Sequence, residues 1–397
     1  MSNEFNLLTL QEAMDLLQIS RSTINRWRKD KGLPVIKVGK DVFVDKNELQ
    51  KWVRSHTYIE NQPVKPVIET ITIGYQSMNA HLWSSLIIKE LHLFEEELQK
   101  IYPNHPIKIQ WADLNGPQQI EEVLTGRIQI ASLGDFPLVS LYQLSSLLPS
   151  FQPRLLAFDG KNTHNEGFSL VIPKKSNLRM DQISNHTIAT LSHSSSWHRL
   201  YKAFQSERIN PTIISQDSLE NMNNILSNQV DATTMIEPFL SMITHLELGK
   251  KIQLEGCEDD YLTGIVAEGQ WASQHADIVI AYLKAHLRAH HLIRNNPFKI
   301  AKIISQHIDF PIQVVSIILS KIRWDAAIYD RDILTLSNIG QTHHPITTKW
   351  MDNLFDTNKL RNCFVNDSYL QEAAIQLKLP MMNSSILSDD WIVNQIF

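Results

Sequence analysis

The first thirty residues contain two short segments with hydrophobic residues at helical spacing, separated by a turn. Thr9 and Glu12 form a capping-box pattern, and the apolar positions of residues 10–17 then recur every three or four residues, which predicts a short amphipathic helix. Ser20 can cap a second helix over residues 21–29. Two short helices joined by a tight turn, the second polar and basic, predict a helix-turn-helix unit.

The second helix has a polar face that is a candidate DNA-binding surface. Ile24 and Trp27 lie three residues apart and are predicted to face inward, so the polar and basic side chains around them turn outward. The candidate DNA contacts on this helix are Arg21, Ser22, Thr23, Asn25, Arg26 and Arg28.

A hairpin and a third helix follow in the same stretch. Residues 35–44 alternate apolar and polar positions about a central Gly-Lys pair, which predicts a β-hairpin. Asp45 and Glu48 repeat the capping-box pattern and predict a helix after the hairpin. This order of elements over residues 7–54 resembles the excisionase-like branch of winged helix-turn-helix domains. The resemblance implies that the domain binds double-stranded DNA.

Charge indicates a nucleic-acid surface only at this end of the chain. Residues 20–40 hold seven basic residues and one acidic residue, and Lys37 and Lys40 of the hairpin are further candidate DNA contacts. The whole chain has a net charge of −5, so the body is not a nucleic-acid binder by charge. The alternative is that the basic helix is the solvated face of a protein-docking module, because charge runs are usually soluble surface.

Domain boundaries follow from length and local pattern. At 397 residues the chain is long enough for two or three domains. Residues 55–69 contain Pro63 and Pro66, which favour extended backbone, and we predict a linker there. We therefore predict a DNA-binding domain over residues 1–54 and a second domain over residues 70–397.

From Thr70 onward the pattern alternates between strands and helices. This alternation predicts an α/β fold with a parallel sheet covered by helices, and the last third, from about His275, is predicted to be mostly helical. Predicted strands cover residues 71–75, 107–111, 128–132, 168–172, 187–190 and 232–236. Predicted helices cover residues 82–100, 117–124 and 219–226, and another begins near residues 194–197.

Several stretches of this region resemble the nitrate/sulfonate/taurine-type substrate-binding proteins of ABC importers. They are Ile73-Gly-Tyr-Gln76 and residues 116–135, 171–178, 194–198 and 227–239. The resemblance implies a two-lobe, periplasmic-binding-protein-like domain of type 2 with ligand in the cleft. Lobe one would then cover about 70–168 and 263–397, and lobe two about 169–262. Members of that family are normally exported, whereas a DNA-binding module begins this chain.

Ligands of open α/β sheets bind beyond the carboxyl ends of strands. Three loops supply candidate ligand contacts there, at Gln76-Ser77, at Gly134-Asp135-Phe136 and at Ser194–His198. Asp135 presents a carboxylate that suits a ligand amine, or else caps the following helix. In relatives the position of Glu237 faces the cleft, although a surface carboxylate is the common alternative.

The serine-rich loop has the clearest chemistry. Ser194, Ser195 and Ser196 place hydroxyls beside the free N–H groups of a helix start, which is typical of an anion site. The resemblance implies that ligand oxyanions are held there, whereas capping alone would also explain a serine at this position. His198 either donates to the oxyanion or is packed.

Other chemistry is weakly indicated. His286 and His290 are four residues apart on one predicted helix but lack the glutamate of a zinc-peptidase motif, so we predict no metal, no cofactor and no enzymatic activity. The chain has two cysteines, which suit a reducing interior. The absence of an export signal and of a long apolar stretch predicts a cytoplasmic protein without a membrane span.

The sequence therefore predicts a cytoplasmic transcriptional regulator that senses a small anionic ligand, such as a sulfonate, taurine or nitrate. A homodimer is expected, because one winged module has a small footprint on DNA. The alternative is a solute-binding protein of ABC-type uptake that uses its N-terminal module as a docking adaptor.

Overall fold

The computed structural model of the chain describes most of its length. The described residues are 7–17, 19, 21–39, 41–56, 68–164, 166–207, 209–252, 254, 259–341, 354–380 and 390–391. Ser20, the predicted cap, and Lys40, at the predicted hairpin turn, lie outside them, as does most of the predicted linker.

The N-terminal domain has the predicted helices and hairpin, with one additional strand. Its elements are β1 (Leu7–Thr9), α1 (Leu10–Leu17), α2 (Arg21–Asp30), β2 (Ile36–Val38), β3 (Asp41–Asp45) and α3 (Lys46–His56). The three strands form an antiparallel sheet in the order β1-β3-β2. The first predicted capping box is confirmed, because the Glu12 N–H donates to Thr9 Oγ1 at 3.1 Å and the Thr9 N–H donates to Glu12 Oε2 at 2.7 Å. Trp27 and Trp52 pack at the centre, with ring centroids 5.1 Å apart.

Lobe one begins at Thr70 and is built around a six-stranded sheet. Its first elements are β4 (Thr70–Tyr75), α4 (Trp83–Glu90), α5 (Leu93–Ile101), β5 (Lys108–Asp113), α6 (Gly116–Leu124), β6 (Ile130–Gly134), α7 (Asp135–Leu147) and β7 (Pro153–Asn162). A short 3-10 turn at Ala80–Leu82 precedes α4.

Lobe two contains a five-stranded sheet in the order β10-β9-β11-β8-β12. Its elements are β8 (Phe168–Pro173), a 3-10 segment (Met180–Asn185), β9 (Thr187–Thr190), α8 (Ser195–Glu207), β10 (Thr212–Ser215), α9 (Ser218–Leu226), β11 (Ala232–Ile236), α10 (Phe239–His245) and β12 (Gly249–Ile252). Apolar side chains of β8, β9, β11 and α10 fill its core.

The chain then returns to lobe one and completes its sheet in the order β14-β7-β13-β6-β4-β5. The returning elements are β13 (Tyr261–Glu268), α11 (Gly269–Gln274), α12 (Ala276–Asn295), α13 (Pro297–Ile308), α14 (Ile312–Lys321), β14 (Arg323–Trp324), α15 (Asp330–Gln341), α16 (Thr357–Cys363) and α17 (Ser368–Gln376). The predicted helical character of the last third is confirmed. No helix in the described residues is both long and apolar enough to cross a membrane.

Two predictions about these elements were wrong. The lobe-one sheet is mixed, because β13 returns from lobe two and runs antiparallel to both β6 and β7, while β4 pairs in parallel with β5 and β6. The single helix predicted over residues 82–100 is two helices, because His92 adopts a left-handed backbone with φ of 53° between them.

The N-terminal domain packs on lobe one. Buried apolar side chains of α1, α2 and α3 form one continuous cluster with those of α6, α7 and β6. The sequence predicted two separate domains but gave no indication of this contact.

Candidate ligand cleft and DNA-binding surface

A cavity of about 360 Å³ lies between the two lobes. It is lined by the residues that follow β4, β5 and β6 in lobe one and by the starts of α8 and α9 in lobe two. Six of the predicted ligand contacts line it, namely Gln76, Ser77, Gly134, Ser194, Ser195 and Ser196. Four do not, namely Asp135, Phe136, His198 and Glu237.

The start of α8 presents hydrogen-bond donors to this cavity. Ser194 caps the helix: its Oγ accepts the Trp197 N–H at 3.2 Å and donates to the Leu191 carbonyl at 2.7 Å. The first helical backbone bond is from the His198 N–H to the Ser194 carbonyl. The N–H groups of Ser195 and Ser196 therefore precede the helical ladder and have no partner within the described residues. Ser194 therefore caps the helix, as one interpretation predicted. The N–H groups of Ser195 and Ser196 remain available to an anion, as the other predicted.

Of the two remaining serine hydroxyls, only one is available to a ligand. Ser195 is buried, and its Oγ accepts the N–H of Phe136 across the interlobe contact at 3.4 Å. Ser196 is half-buried, and its hydroxyl makes no hydrogen bond within the part of the chain that the structure describes. The donor set at this end of the cavity is thus two backbone N–H groups and the Ser196 hydroxyl.

The structure corrects the predicted role of Asp135. Its carboxylate is fully buried and forms a two-pronged ion pair with Arg199 of α8, at 2.6 Å and 3.1 Å. It also accepts the N–H of Leu262 at 3.3 Å. Burial opposes ionisation, but the Arg199 guanidinium outweighs it and holds the pKa of Asp135 below its usual range. Asp135 therefore ties the two lobes together instead of facing a ligand.

Phe136 and His198 also differ from their predicted placement. The two rings stack on each other with centroids 5.0 Å apart, and both are buried beside the cavity wall. Burial and then the charge of Arg199 lower the pKa of His198 to about 3, so the ring is neutral near pH 7. His198 is therefore a packed histidine, which was one of the two sequence interpretations.

Glu237 is placed at a helix start outside the cavity lining. Its carboxylate accepts the N–H and the hydroxyl of Ser241 in α10, at 2.9 Å and 2.7 Å. Burial raises the pKa of this carboxyl although these two hydrogen bonds act in the opposite direction. Its role is local capping, so the predicted cleft contact is not formed.

The cavity lining includes residues that sequence reasoning missed. Asn79 and Tyr261 bond to each other at 3.2 Å, and Asp113, Asp217 and Asn221 line the same space. Asp217 caps α9 through the N–H groups of Leu219 and Glu220, a pattern that the sequence displays. Tyr261 could not be found in this way, because it reaches the cavity only through the return of the chain into lobe one.

The candidate DNA contacts of the N-terminal domain differ in their exposure. Exposed side chains are those of Arg21, Ser22, Asn25, Arg26 and Lys37, whereas Arg28 is partly buried and bonds to Asn25 at 3.3 Å. Thr23 is buried with Ile24, so its predicted outward orientation was wrong. Lys40 lies outside the described residues.

Arg26 is exposed on one side and contacts lobe one on the other. Its guanidinium pairs with the buried carboxylate of Glu121 on α6, and Trp27 Nε1 donates to the same carboxylate at 2.9 Å. Burial and the nearby Arg127 of lobe one lower the pKa of Lys31, at the end of the same basic helix. The helix predicted to read DNA is therefore docked on α6 in this structure.

One buried cluster has the composition of a metal site. Ligand atoms of Asp159, His286 and His290 lie within 4.8 Å of one another. However, His290 Nε2 and Asp159 Oδ1 bond directly at 2.8 Å, closer than the roughly 3.3 Å that separates two ligands around tetrahedral zinc. Ser84 bridges Asp159 and His286, at 2.5 Å and 3.1 Å. The groups therefore fit a hydrogen-bonded network. The carboxylate beside the two histidines is that of Asp159 in β7, which the spacing of the histidines in the sequence could not reveal.

Comparisons with known proteins match the two parts of the chain separately. Residues 7–57 match a family described as a helix-turn-helix domain. A comparison with curated protein sequences gives no match. Similar solved structures cover 68% to 79% of the chain.

Three of these structures are solute-binding proteins. The alkanesulfonate-binding protein SsuA from Xanthomonas axonopodis pv. citri, bound to MOPS, is 19% identical, with a TM-score of 0.56 over 68% of this chain and 90% of that chain. The periplasmic aliphatic sulphonate binding protein SsuA from Escherichia coli is 16% identical, with a TM-score of 0.56 over 76% and 99%. The periplasmic nitrate-binding protein NrtA from Synechocystis is 14% identical, with a TM-score of 0.57 over 79% and 90%. At these identities the likeness shows the fold alone. The chain is thus a helix-turn-helix domain joined to a two-lobe domain with the fold of periplasmic substrate-binding proteins.

Proposed function

We propose that the protein is a cytoplasmic transcriptional regulator whose interlobe cleft binds a small ligand with an oxyanion group. The observation that supports it best is the docking of the basic helix α2 on α6. The first turn of α6 places Gly116 and Gln118 in the cavity lining. One turn later, Glu121 of the same helix bonds to Arg26 and Trp27. Helix α6 therefore contacts both the ligand cavity and the helix-turn-helix domain.

The oxyanion assignment rests on the start of α8. Two backbone N–H groups and a hydroxyl face the cavity there, and the helix dipole adds positive potential. The solved structures named above include an alkanesulfonate-binding protein and a nitrate-binding protein, which agrees with a ligand of this class. The fold shared with these solute-binding proteins supports a role in binding.

Coupling would follow from the α6 contact. A ligand that binds in the cleft and moves α6 would change the position of Glu121. This movement would change whether Arg26 is available to contact DNA. The pair with Glu121 holds the guanidinium against α6, so its release would allow Arg26 to move to a base edge. Regulation would then be a shift between docked and released states of the N-terminal domain. We propose that the DNA-bound form is a homodimer.

Salt-dependent duplex binding tests the proposal. The full chain and a double variant, Arg21→Ala with Lys37→Ala, are titrated onto DNA selected from a random duplex library at several salt concentrations. We expect specific binding by the full chain, and a salt slope that is smaller by about two in the variant, because each lost phosphate contact releases about one fewer counterion. Absence of duplex binding at low salt would contradict the proposal.

The second candidate is a solute-binding protein whose N-terminal module docks on a partner protein. The observation that favours it is that the similar solved structures named above are solute-binding proteins, two of them periplasmic. On this alternative the cleft binds its ligand and the chain shows no sequence-specific affinity for duplex DNA. The same titration therefore distinguishes the two functions.

A further inference from the structure

We propose that Gln119 of α6 is the positioning residue that transmits movement of the cleft to the N-terminal domain. The inference rests on the proposed coupling through α6 and names the side chain that provides it. It arises from one buried amide that bonds to the ends of three strands, and from the position of that amide opposite Glu121 on the same helix.

Both ends of the Gln119 amide are hydrogen-bonded. The residue is fully buried, and its Nε2 donates to the carbonyl of Tyr75 at 3.1 Å and to that of Leu114 at 2.8 Å. Its Oε1 accepts the N–H of Ser132 at 3.1 Å. Because a carbonyl only accepts and an N–H only donates, these partners fix the orientation of the amide. A satisfied buried network of this kind holds its members in one arrangement.

The three partners of Gln119 lie at the carboxyl ends of three neighbouring strands of lobe one. Tyr75 ends β4, Leu114 follows β5, and Ser132 lies in β6. The cavity lining includes Leu114 itself, the residue after Tyr75 and the last residue of β6. A movement of these strand ends when the lobes open or close would therefore act directly on Gln119.

Gly74 makes this close contact possible. A Cβ at this position would lie 2.5 Å from Gln119 Oε1, so glycine leaves the room that the amide needs beside β4. Glycine in the interior of a strand weakens it and often marks a close approach of another group. Strand β4 therefore has an unfavourable residue at the point where Gln119 packs against it.

The opposite face of α6 holds the N-terminal domain. Gln119 and Glu121 are two residues apart, or about 200° around the helix axis. Glu121 is buried and bonds to the guanidinium of Arg26, and Trp27 Nε1 donates to the same carboxylate at 2.9 Å. One face of α6 is thus fixed to the strand ends at the cleft and the other face to α2. A displacement of the strand ends would therefore reach α2 through this helix.

Hydrogen exchange of α2 in the ligand-free full chain tests the inference. Gly134→Ala perturbs the contact between the lobes without ligand or DNA, because its Cβ would lie 2.6 Å from Ser195 Oγ of lobe two. We expect this substitution to change the exchange rates of the amides of residues 21–30 by about threefold or more. Gln119→Leu has a side chain of similar size but makes none of the three bonds. In that background, Gly134→Ala should change the same rates by less than about 1.5-fold.

Two further variants show whether the amide itself is responsible. Gly74→Ala retains every group of Gln119 but displaces its amide, so it should reduce the response of α2 as Gln119→Leu does. Thr233→Val is the matched control, because it removes a buried hydrogen bond of lobe two, to the Ala189 carbonyl at 3.0 Å, and should keep the wild-type response. A general loss of stability would instead alter the response in all three variants.

The outcomes separate this inference from the proposed function. An undiminished response of α2 in Gly74→Ala, or in a folded Gln119→Leu, overturns the role of Gln119, as does an equal reduction in Thr233→Val. If α2 does not respond to Gly134→Ala in the wild-type background, the connection between the cleft and the N-terminal domain is overturned. DNA is absent from these measurements. A chain that shows the full pattern but binds no duplex would therefore retain the connection and lose the regulator function.

Discussion

At the scale of single residues, the interlobe contact depends on a buried ion pair. Asp135 is fully buried against Arg199, and Arg199 Nη2 also donates to the Asp260 carbonyl at 2.9 Å. The pair therefore joins α7 of lobe one, α8 of lobe two and the segment that returns to lobe one. Such a pair is weak evidence for stability, but loss of one partner leaves a charge buried without compensation.

The first prediction concerns this pair. Asp135→Asn leaves the Arg199 guanidinium buried without its counter-charge, so we expect the free energy of unfolding to fall by about 3–5 kcal/mol. Urea unfolding of both proteins measures it. The control is Lys174→Ala, which removes an exposed ion pair with Glu247 and should leave the unfolding midpoint unchanged. Equal midpoints for Asp135→Asn and wild type would contradict the prediction.

A second prediction at this scale concerns the closeness of the lobes at Gly134. A Cβ at this position would lie 2.6 Å from Ser195 Oγ of lobe two. Gly134→Ala should therefore hold the lobes apart and weaken taurine binding about tenfold, equivalent to about 1.4 kcal/mol. Calorimetry measures the affinity and small-angle scattering measures the separation. A wild-type affinity in this variant would show that the contact does not control the cleft.

At the scale of elements, α6 connects the two halves of the molecule. Its first residue, Gly116, and Glu121 are five residues apart, or about 7.5 Å along the axis. The Asn115–Gln118 capping box fixes its first turn at the cavity. A displacement of this first turn by a ligand reaches Glu121 within the same rigid segment.

The third prediction tests this connection. Glu121→Gln keeps an acceptor for Trp27 but removes the charge that holds Arg26, so we expect ligand-free protein to bind duplex DNA about three- to thirtyfold more tightly. Fluorescence anisotropy with a labelled duplex measures it. Glu122→Gln is the matched control, because Glu122 lies on the same helix and pairs with Arg127 of its own lobe. Equal gains in both variants, or none in Glu121→Gln, would contradict the role of the docked contact.

The same elements show how far the sequence alone can predict the site. The capping box of α1 and the serines of α8 are local patterns, and the structure places both where the sequence predicts them. The partners of Asp135 and Arg26 are 64 and 95 residues away in sequence, so no local pattern could identify them. Asp135 and Arg26 were therefore assigned to ligand and DNA contacts, whereas the structure pairs each with an opposite charge.

At the scale of the whole molecule, buried histidines make the fold sensitive to acid. Burial lowers the pKa of His81, His198 and His290 to about 3 and that of His286 to about 4. These depressed values mean that the unfolded chain binds protons that the folded chain does not, below about pH 6.5. Burial of Asp159 raises its pKa to about 6, so at this one site the folded chain binds a proton more readily than the unfolded chain does.

The fourth prediction is that stability falls as the pH decreases from about 6.5 to 4.5. Each uncompensated histidine contributes a slope of about 1.4 kcal/mol per pH unit. His198→Gln removes one such group. The free energy of unfolding of this variant should therefore fall by about 1.4 kcal/mol less per pH unit than that of the wild type. Urea unfolding at several pH values measures both slopes. Identical slopes would show that His198 titrates normally in the folded protein.

The central claim is that one molecule couples the interlobe cleft to DNA binding. Its most direct test is the affinity of the full chain for taurine, measured by calorimetry with and without a saturating selected duplex. Coupling predicts that DNA changes taurine affinity at least fivefold, that taurine changes DNA affinity by the same factor, and that Glu121→Gln reduces this factor. Equal taurine affinity with and without DNA would contradict the account, because the two domains would then function independently.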